Sequence, residues 1–263
     1  MQQCYVFTTL RFDESLRHHA KNTSASDQIS SSVYLLQYHY DRLLEAANAV
    51  FGSAGQHTLE KAGVANALEL QQHVEKAIEE QTRASSAQLA SFRVRVQING
   101  YASVATTIAE VPRIAHERLF VSDLIQPVDQ AIPWTVSLDL RPTKTSIATQ
   151  CKIHDRSDYN RARSEAGIES LTAEKEVLLY DEAGYIFDAS ITTPYFFRDG
   201  RWTTPSNSYG GQRGTTRRWA LTQGLCVESG VHVDSVQERE MIWLSNAARG
   251  FFRAQVSRTS RIY

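Results

Sequence analysis

The sequence contains little cysteine and little lysine. Only three cysteines occur, Cys4, Cys151 and Cys226, and no two of them are close in the chain. Such a set argues against a disulfide framework or a zinc knuckle and indicates a reducing compartment, and we expect no metal site. Of the 28 basic residues, 22 are arginine and six are lysine. A chemically active lysine therefore has few candidates.

The sequence also lacks a strong net charge and long apolar runs. The formal net charge is -1 at pH 7, with 42% hydrophobic and 22% charged residues. No stretch of about 18 apolar residues occurs, and the start MQQCYVFTTL has no charged segment followed by an apolar one. We therefore expect a cytoplasmic protein whose partners include neither nucleic acid nor a membrane.

The first half of the chain has the pattern of a small α+β unit. Val33 to Phe51 carries apolar residues at helical spacing, with Ser32 as a plausible N-cap and Gly52 as the stop. The pair Asn99-Gly100 separates two strand-like runs and predicts a hairpin with a type I′ turn. The predicted elements are strand 4–12, helix 33–51, helix 59–82 and this hairpin.

The stretch from Val111 to Pro133 is irregular and contains three prolines. Within it, residues 113–133 are predicted to link this unit (1–112) to a second one (134–263). The second unit alternates strands and short helices. Its predicted elements are strand 134–140, a helix from Arg156 to Glu165 capped by Asp155 and closed by Gly167, a buried strand EVLLYDE, strand YIFDAS, a hairpin around Asp199-Gly200, a helical turn with a Ser235/Glu238 capping box, and strands MIWLSN and GFFRAQV.

A glycine-rich loop, NSYGGQRG, leads into a helix whose first residues are Thr215 and Thr216. Free backbone N–H groups and hydroxyls meet there at the positive end of a helix dipole. This is a favourable site for a phosphate.

Lys152 ends one predicted strand region and Asp188 ends another. A lysine and an acid are what pyridoxal phosphate chemistry needs, the lysine as Schiff-base partner and base, the acid as counter-ion of the pyridine nitrogen. Taken alone the pair is weak evidence, because most lysines are solvated and an aspartate can simply cap a turn. Lys144, in the polar context PTKTS, is the rival lysine.

Four motifs in chain order make the sequence similar to the fold-type IV pyridoxal-phosphate enzymes, which include aminodeoxychorismate lyase, branched-chain aminotransferase and D-amino-acid aminotransferase. Within this family it most resembles fungal aminodeoxychorismate lyase-like proteins. The motifs are FTTLR at 7–11, HYDRL at 39–43, Lys152 with Arg156 as K-x-x-x-R, and GTTRR at 214–218.

The resemblance implies a two-domain α+β fold, with a small N-terminal domain and a larger mixed-sheet domain, and a homodimer. It implies that Lys152 forms the Schiff base and that a threonine of the pair Thr8-Thr9 helps to protonate the leaving group. Arg11, Arg93 or Arg95 would hold the carboxylates of a small amino acid-like substrate. The implied cofactor contacts are Lys152, Arg42, Asp188, Tyr159, Gly214, Thr215, Thr216, Ser245 and Asn246.

Four features depart from the family pattern or remain open. Asp188-Ala189 replaces the usual Glu-Gly, which shortens the carboxylate that faces the pyridine nitrogen by one methylene. The initial strand of bacterial members is absent, and Ser245-Asn246 fits the second phosphate contact only loosely. Tyr159 either reaches the phenolic oxygen of the cofactor or packs as a helix aromatic.

The implied activity is that of a 4-amino-4-deoxychorismate lyase, which eliminates pyruvate to give 4-aminobenzoate for folate synthesis. An aminotransferase on the same fold is the first alternative, because both reactions share the cofactor chemistry up to the carbanion. A cofactor-free protein that serves as a binding or scaffold module is the second.

Overall fold

A computed structural model of the chain describes residues 4–83, 91–124 and 134–258. The chain divides into two compact units. The first comprises Met1–Ile114 and Cys151–His154, and the second comprises Ala115–Gln150 and Asp155–Tyr263. No helix of the described ranges is long and apolar enough to cross a membrane.

The first unit is an antiparallel sheet with helices against one face. The strand order is β1-β2-β3, so β2 is central. Alternating burial along β2 shows that one face of the sheet is apolar, and α2 packs against β1. The elements are β1 (Tyr5–Phe12), α1 (Ala20–Ala25), α2 (Leu36–Phe51), α3 (Gly55–Lys61), α4 (Ala67–Thr82), β2 (Ser91–Asn99) and β3 (Val104–Val111).

The second unit is built on an eight-stranded mixed sheet with the order β6-β5-β4-β11-β10-β7-β8-β9. β4 runs parallel to both β5 and β11, and most other pairs are antiparallel. The elements are α5 (His116–Leu119), β4 (Trp134–Leu138), α6 (Ile147–Gln150), α7 (Ser157–Glu165), β5 (Lys175–Tyr180), β6 (Ile186–Ala189), β7 (Thr193–Arg198), β8 (Arg201–Pro205), α8 (Thr215–Thr222), β9 (Val227–Ser229), β10 (Met241–Asn246) and β11 (Gly250–Val256).

The predicted mixture of helices and strands, with the mixed sheet in the second half, is confirmed, and most strands lie where the pattern placed them. The hairpin at Asp199-Gly200 forms, and both residues have positive φ, 51° and 77°. The helix after the glycine-rich loop begins at Thr215 as predicted.

Two helix predictions in the first unit were wrong in their bounds. Helix α2 begins at Leu36 and not at Val33, because Val33 bridges Phe12 and Leu35 has a left-handed backbone with φ 56°. The predicted helix 59–82 is two helices, since Gly63 adopts φ 70° and Asn66 caps a new helix by accepting from the Glu69 N–H.

The predicted turns and helix caps differ from the structure at three further points. Neither Asn99 nor Gly100 has positive φ, so the turn is not type I′, and Ala102 takes the left-handed conformation in a longer loop. The Asp155 carboxylate accepts from Ser157 N–H, and α7 starts at Ser157, one residue later than predicted. Ser235 ends its 3-10 turn and does not begin a helix.

The segment around Lys152 belongs to the first unit, although the predicted domain range 134–263 includes it. Phe7 N–H donates to Lys152 O at 2.9 Å, His154 N–H donates to Tyr5 O at 2.9 Å, and Ile153 bridges Val6. These bonds attach the segment to the free edge of β1. In the predicted linker 113–133, His116–Leu119 is helical and residues 125–133 lie outside the described residues.

Candidate functional site

In the first unit, strand alternation places the two threonines of FTTLR on opposite faces of the sheet. Thr8 is fully buried on the face covered by α2, whereas Thr9 is partly exposed and pairs with Arg95 of β2. Thr8 and Thr9 were predicted as one catalytic pair. The structure gives them different surroundings and therefore different uses.

Thr8 is hydrogen-bonded to two side chains of α2. The Arg42 guanidinium donates to Thr8 Oγ1 at 2.8 Å, and Thr8 Oγ1 lies 2.7 Å from His39 Nδ1. Arg42 Nη2 also lies 3.3 Å from His39 Nδ1. Because arginine can only donate, Nδ1 is an acceptor, and the Thr8 hydroxyl gives its proton to it. His39 is therefore the neutral tautomer with its proton on Nε2, and Thr8 acts as part of the support of Arg42.

Burial is the main cause that lowers the pKa of His39 well below its usual value, and the positive charges of Arg42 and Lys152 add to it. His39 Nε2 is buried and has no hydrogen-bond partner among the described residues. The sequence motif had pointed to this histidine without giving it a role.

Lys152 and Arg95 both lie over the ring of Phe7. The Lys152 Nζ is 5.4 Å and the Arg95 Cζ 3.8 Å from the ring centroid. Lys152 is half-buried, while the rival Lys144 is exposed in a loop. Arg95 of β2 and Lys152, the lysine of the K-x-x-x-R motif, therefore contact the same aromatic ring.

Arg11 and Arg93 differ from Arg95. Arg11 is fully buried; it donates to Pro112 O at 2.6 Å and lies 3.6 Å from Asp13. These contacts make Arg11 an internal structural group. Arg93 is partly exposed and pairs with Arg11 in the strand register.

In the second unit, Asp188 is buried at the end of β6. Its Oδ1 accepts from Ala189 N–H at 3.0 Å, and its Oδ2 lies 2.9 Å from the Tyr159 hydroxyl. The same hydroxyl lies 2.9 Å from Thr149 O, so its single proton is shared between two acceptors. Burial, followed by the Asp188 charge, raises the pKa of Tyr159 well above its usual value. Tyr159 orients the acid, a function that neither of its two predicted roles included.

The glycine-rich loop lies against β6 beside this acid. A Cβ on Gly211 would be 1.9 Å from Phe187 O, so only glycine permits this approach. The loop ends at Gly214, and no side chain of residues 4–83, 91–124 or 134–258 caps helix α8 there. Its first N–H groups are therefore available to a ligand.

Thr215 and Thr216 are both buried at the start of α8. Thr215 Oγ1 has no hydrogen-bond partner among the described residues, whereas Thr216 Oγ1 accepts from Ser245 at 2.7 Å. Ser245 in turn lies 2.8 Å from the Tyr195 hydroxyl. An unpartnered hydroxyl next to uncapped N–H groups suits a phosphate oxygen, and Ser245 supports Thr216 behind it.

The Asn246 side chain forms hydrogen bonds with the main chain of the protein. Its amide donates to Ile191 O at 3.2 Å and accepts from the N–H groups of Ala248 and Arg249. These contacts connect Asn246 to the β6–β7 turn, and its predicted phosphate contact stays a prediction.

Glu176 of β5 is a buried carboxylate that the sequence interpretation passed over. It accepts hydrogen bonds from the turn between β6 and β7. The available signal was a charged residue at the first position of EVLLYDE, a segment assigned to a buried strand.

The neutral state of His39 predicts a pH-dependent stability. The unfolded chain takes up a proton near the usual histidine pKa, about 6.5, whereas the folded chain does so only at lower pH. The contribution of His39 is complete above pH 6.5, and it falls by up to about 1.4 kcal/mol per pH unit as the pH decreases below that value.

Urea unfolding of the wild type and His39→Asn between pH 5 and 8 measures this effect. Asparagine keeps an acceptor for Thr8 and cannot be protonated. The wild type should lose stability relative to the variant as the pH falls. A difference that does not change with pH would contradict the neutral assignment.

Comparisons with known proteins bear on these groups. The family described as "Amino-transferase class IV" matches residues 6–256. A Schizosaccharomyces pombe protein described as "Putative aminodeoxychorismate lyase" is 32% identical over 130 residues, 48% of this chain and 55% of the relative. The match thus spans about half the length of that relative.

Two solved structures show the same fold. One is a branched-chain amino acid aminotransferase from Thermobaculum terrenum, with TM-score 0.64 and 13% identity over 96% of this chain and 75% of that one. The other is a "putative 4-amino-4-deoxychorismate lyase" from Haemophilus somnus, with TM-score 0.58 and 16% identity over 95% of this chain and 99% of that one. At these identities the likeness concerns the fold, which is fold-type IV as predicted. Because the family match covers residues 6–256, the chain belongs to the class IV aminotransferases, a family of pyridoxal-phosphate-dependent enzymes.

Proposed function

We propose that this chain is a pyridoxal-phosphate-dependent lyase of the 4-amino-4-deoxychorismate lyase type. The observation that carries the proposal is the arrangement on strand β1, where Phe7 contacts both Lys152 and Arg95. An amine and a carboxylate-binding cation on one ring suit a substrate that has both an amino group and carboxylates. The described activity of the S. pombe relative supports the lyase over the transferase.

Each unit, taken by itself, contains groups whose chemistry suits pyridoxal phosphate. When bound, pyridoxal phosphate holds the substrate amine covalently and takes up electrons from bonds at the carbon that bears the nitrogen. Lys152 is proposed as its amine partner and, once freed, as the base that removes the proton from that carbon.

Asp188 is proposed to keep the pyridine nitrogen protonated. Its side chain is one methylene shorter than the usual glutamate. The contact with the pyridine nitrogen therefore depends more strongly on where the carboxylate is held. The Tyr159 hydroxyl and the Ala189 N–H fix both carboxylate oxygens. These contacts hold the shorter side chain in one orientation.

Within the second unit, the phosphate is assigned to Thr215, Thr216 and the first N–H groups of α8. The unpartnered Thr215 hydroxyl is the observation that favours this assignment. The phosphate contact of Arg42 is the one that the HYDRL motif implies. Thr8 and His39 hold the Arg42 guanidinium from behind, so that its remaining N–H groups keep a fixed direction.

In the proposed reaction, the carbon that bears the amine loses a proton and the ether bond to the enolpyruvyl group breaks. The departing group takes up a proton and leaves as pyruvate, and the ring becomes 4-aminobenzoate. Thr9 is the threonine that suits the role of proton donor, because it shares a sheet face with Arg95. The Thr8 hydroxyl is already committed to His39.

Product analysis with purified, cofactor-loaded protein tests the proposal. Aminodeoxychorismate should yield pyruvate and 4-aminobenzoate in equal amounts. Lys152→Ala should lower the rate by about 10² to 10⁴-fold, and Lys144→Ala should leave it unchanged. Transfer of the amino group to a 2-oxo acid, without pyruvate release, would make the chain an aminotransferase. If the protein catalyses neither reaction and binds no cofactor, the result would indicate a binding protein.

Arg95 is predicted to bind a substrate carboxylate, with Arg93 as the matched control. Loss of a charge-assisted hydrogen bond costs about 1.5–3 kcal/mol. Arg95→Ala should therefore raise KM by about tenfold or more, while Arg93→Ala, on the same face one pair along the strand, should change it little. Equal effects of the two substitutions on KM would remove Arg95 from the substrate site.

A further inference from the structure

The turn between β6 and β7, Ser190–Thr192, is held by an unusual set of buried polar groups. Glu176 is only 1% exposed and lies in the neighbouring strand β5. Its Oε1 accepts from Ser190 N–H at 3.1 Å and from the Ser190 hydroxyl. Its Oε2 accepts from Ile191 N–H at 3.2 Å and from the Thr192 hydroxyl at 2.9 Å.

These four donors require a carboxylate at this position. A carboxylate accepts at both oxygens, whereas a glutamine amide would direct its own N–H groups at donors. No lysine or arginine in the described ranges forms an ion pair with Glu176. Arg163 instead donates to the Ser190 hydroxyl at 3.0 Å, and Arg156 donates to Ser190 O at 2.6 Å. Both guanidinium groups thus contact the turn, and neither forms an ion pair with the carboxylate among the described residues.

The turn connects two groups to which the proposed function assigns cofactor contacts. Asp188 precedes it, and the Ala189 N–H that binds Asp188 Oδ1 also donates to Thr192 O at 3.2 Å. Thr193 follows it and approaches the start of α8 so closely that a Cβ on Gly214 would lie 2.9 Å from Thr193 Oγ1. A shift of the turn therefore moves both the acid and the phosphate loop.

We infer that Glu176 is a positioning residue, which sets the Asp188 carboxylate and the Gly214 end of the phosphate loop through the turn Ser190–Thr192. This inference rests on the proposed function, because the value of that alignment lies in binding the cofactor. Burying a carboxylate without a directly paired cation is energetically unfavourable. A turn that only joined two strands would not require a buried carboxylate.

The test compares Glu176→Gln with Val256→Ala, a core truncation in β11 whose side chain makes no hydrogen bond to the turn. Urea unfolding establishes how far each variant is destabilised. The dissociation constant for pyridoxal phosphate is then measured under conditions where all proteins are folded. Amide hydrogen exchange of residues 189–193 in the cofactor-free proteins gives a readout independent of binding.

Glu176→Gln should weaken pyridoxal phosphate binding by about tenfold or more and speed exchange at the turn, whereas Val256→Ala should keep both near wild type. Glu176→Asp, which keeps the charge, should recover part of the affinity. If Glu176→Gln does not fold, Thr192→Val is the alternative, because it removes one donor at nearly constant volume. It should weaken pyridoxal phosphate binding and speed exchange at the turn, both to a smaller extent.

Unchanged binding and exchange in Glu176→Gln would overturn the inference. So would equal weakening in Glu176→Gln and Val256→Ala, because it would reduce Glu176 to general stability. A wild-type protein that does not bind pyridoxal phosphate would overturn the proposed function instead, and exchange at residues 189–193 would still decide whether Glu176 fixes the turn.

Discussion

Main-chain pairing between β1 and the segment around Lys152 is the constraint on which the first unit depends. Lys152 has no helix or sheet of its own, and two backbone hydrogen bonds with β1 set its position. The same strand carries Phe7 beneath the lysine, and alternation places Thr8 on the helix face and Thr9 on the opposite face. One strand thus fixes the lysine, the support of Arg42 and the face that bears Arg95.

The second unit depends on buried polar groups whose partners are nearly all within the chain. Asp188, Glu176 and the Tyr195–Ser245–Thr216 series each satisfy their hydrogen bonds in a low-dielectric interior, where such bonds are stronger and an unpaired group is costly. The Thr215 hydroxyl differs from these groups, because it has no hydrogen-bond partner in the part of the chain that the structure describes. It is the kind of group that a bound phosphate would satisfy.

The sequence could predict features that depend on local chemistry. The Asp199-Gly200 hairpin follows from its turn residues. The strands MIWLSN and GFFRAQV follow from their apolar and aromatic residues, and the start of α8 follows from the glycine-rich loop before it. The start of α2 could not be predicted, because Leu35 is held in a left-handed conformation by a hydrogen bond from its N–H to the buried Asn22. That contact spans 13 residues and leaves no local pattern.

In the candidate site too, local sequence patterns pointed to some residues, whereas the roles of others depend on tertiary contacts. Motifs pointed to Lys152, Arg42, Asp188 and the Thr215-Thr216 pair as candidates, but they could not separate Thr8 from Thr9 or rank the three arginines. Those distinctions depend on which face of the sheet is covered. The role of Glu176 was hidden because its partners lie 14 to 16 residues away in the chain and are defined only by the turn.

The central claim is that Lys152 is the residue that bonds covalently to the cofactor. The most direct measurement is borohydride reduction of the protein loaded with pyridoxal phosphate, followed by peptide mass spectrometry. The account predicts a stable phosphopyridoxyl group on the peptide that contains Lys152, and an unmodified peptide around Lys144. A label on another lysine, or no label on a protein saturated with the cofactor, would contradict it.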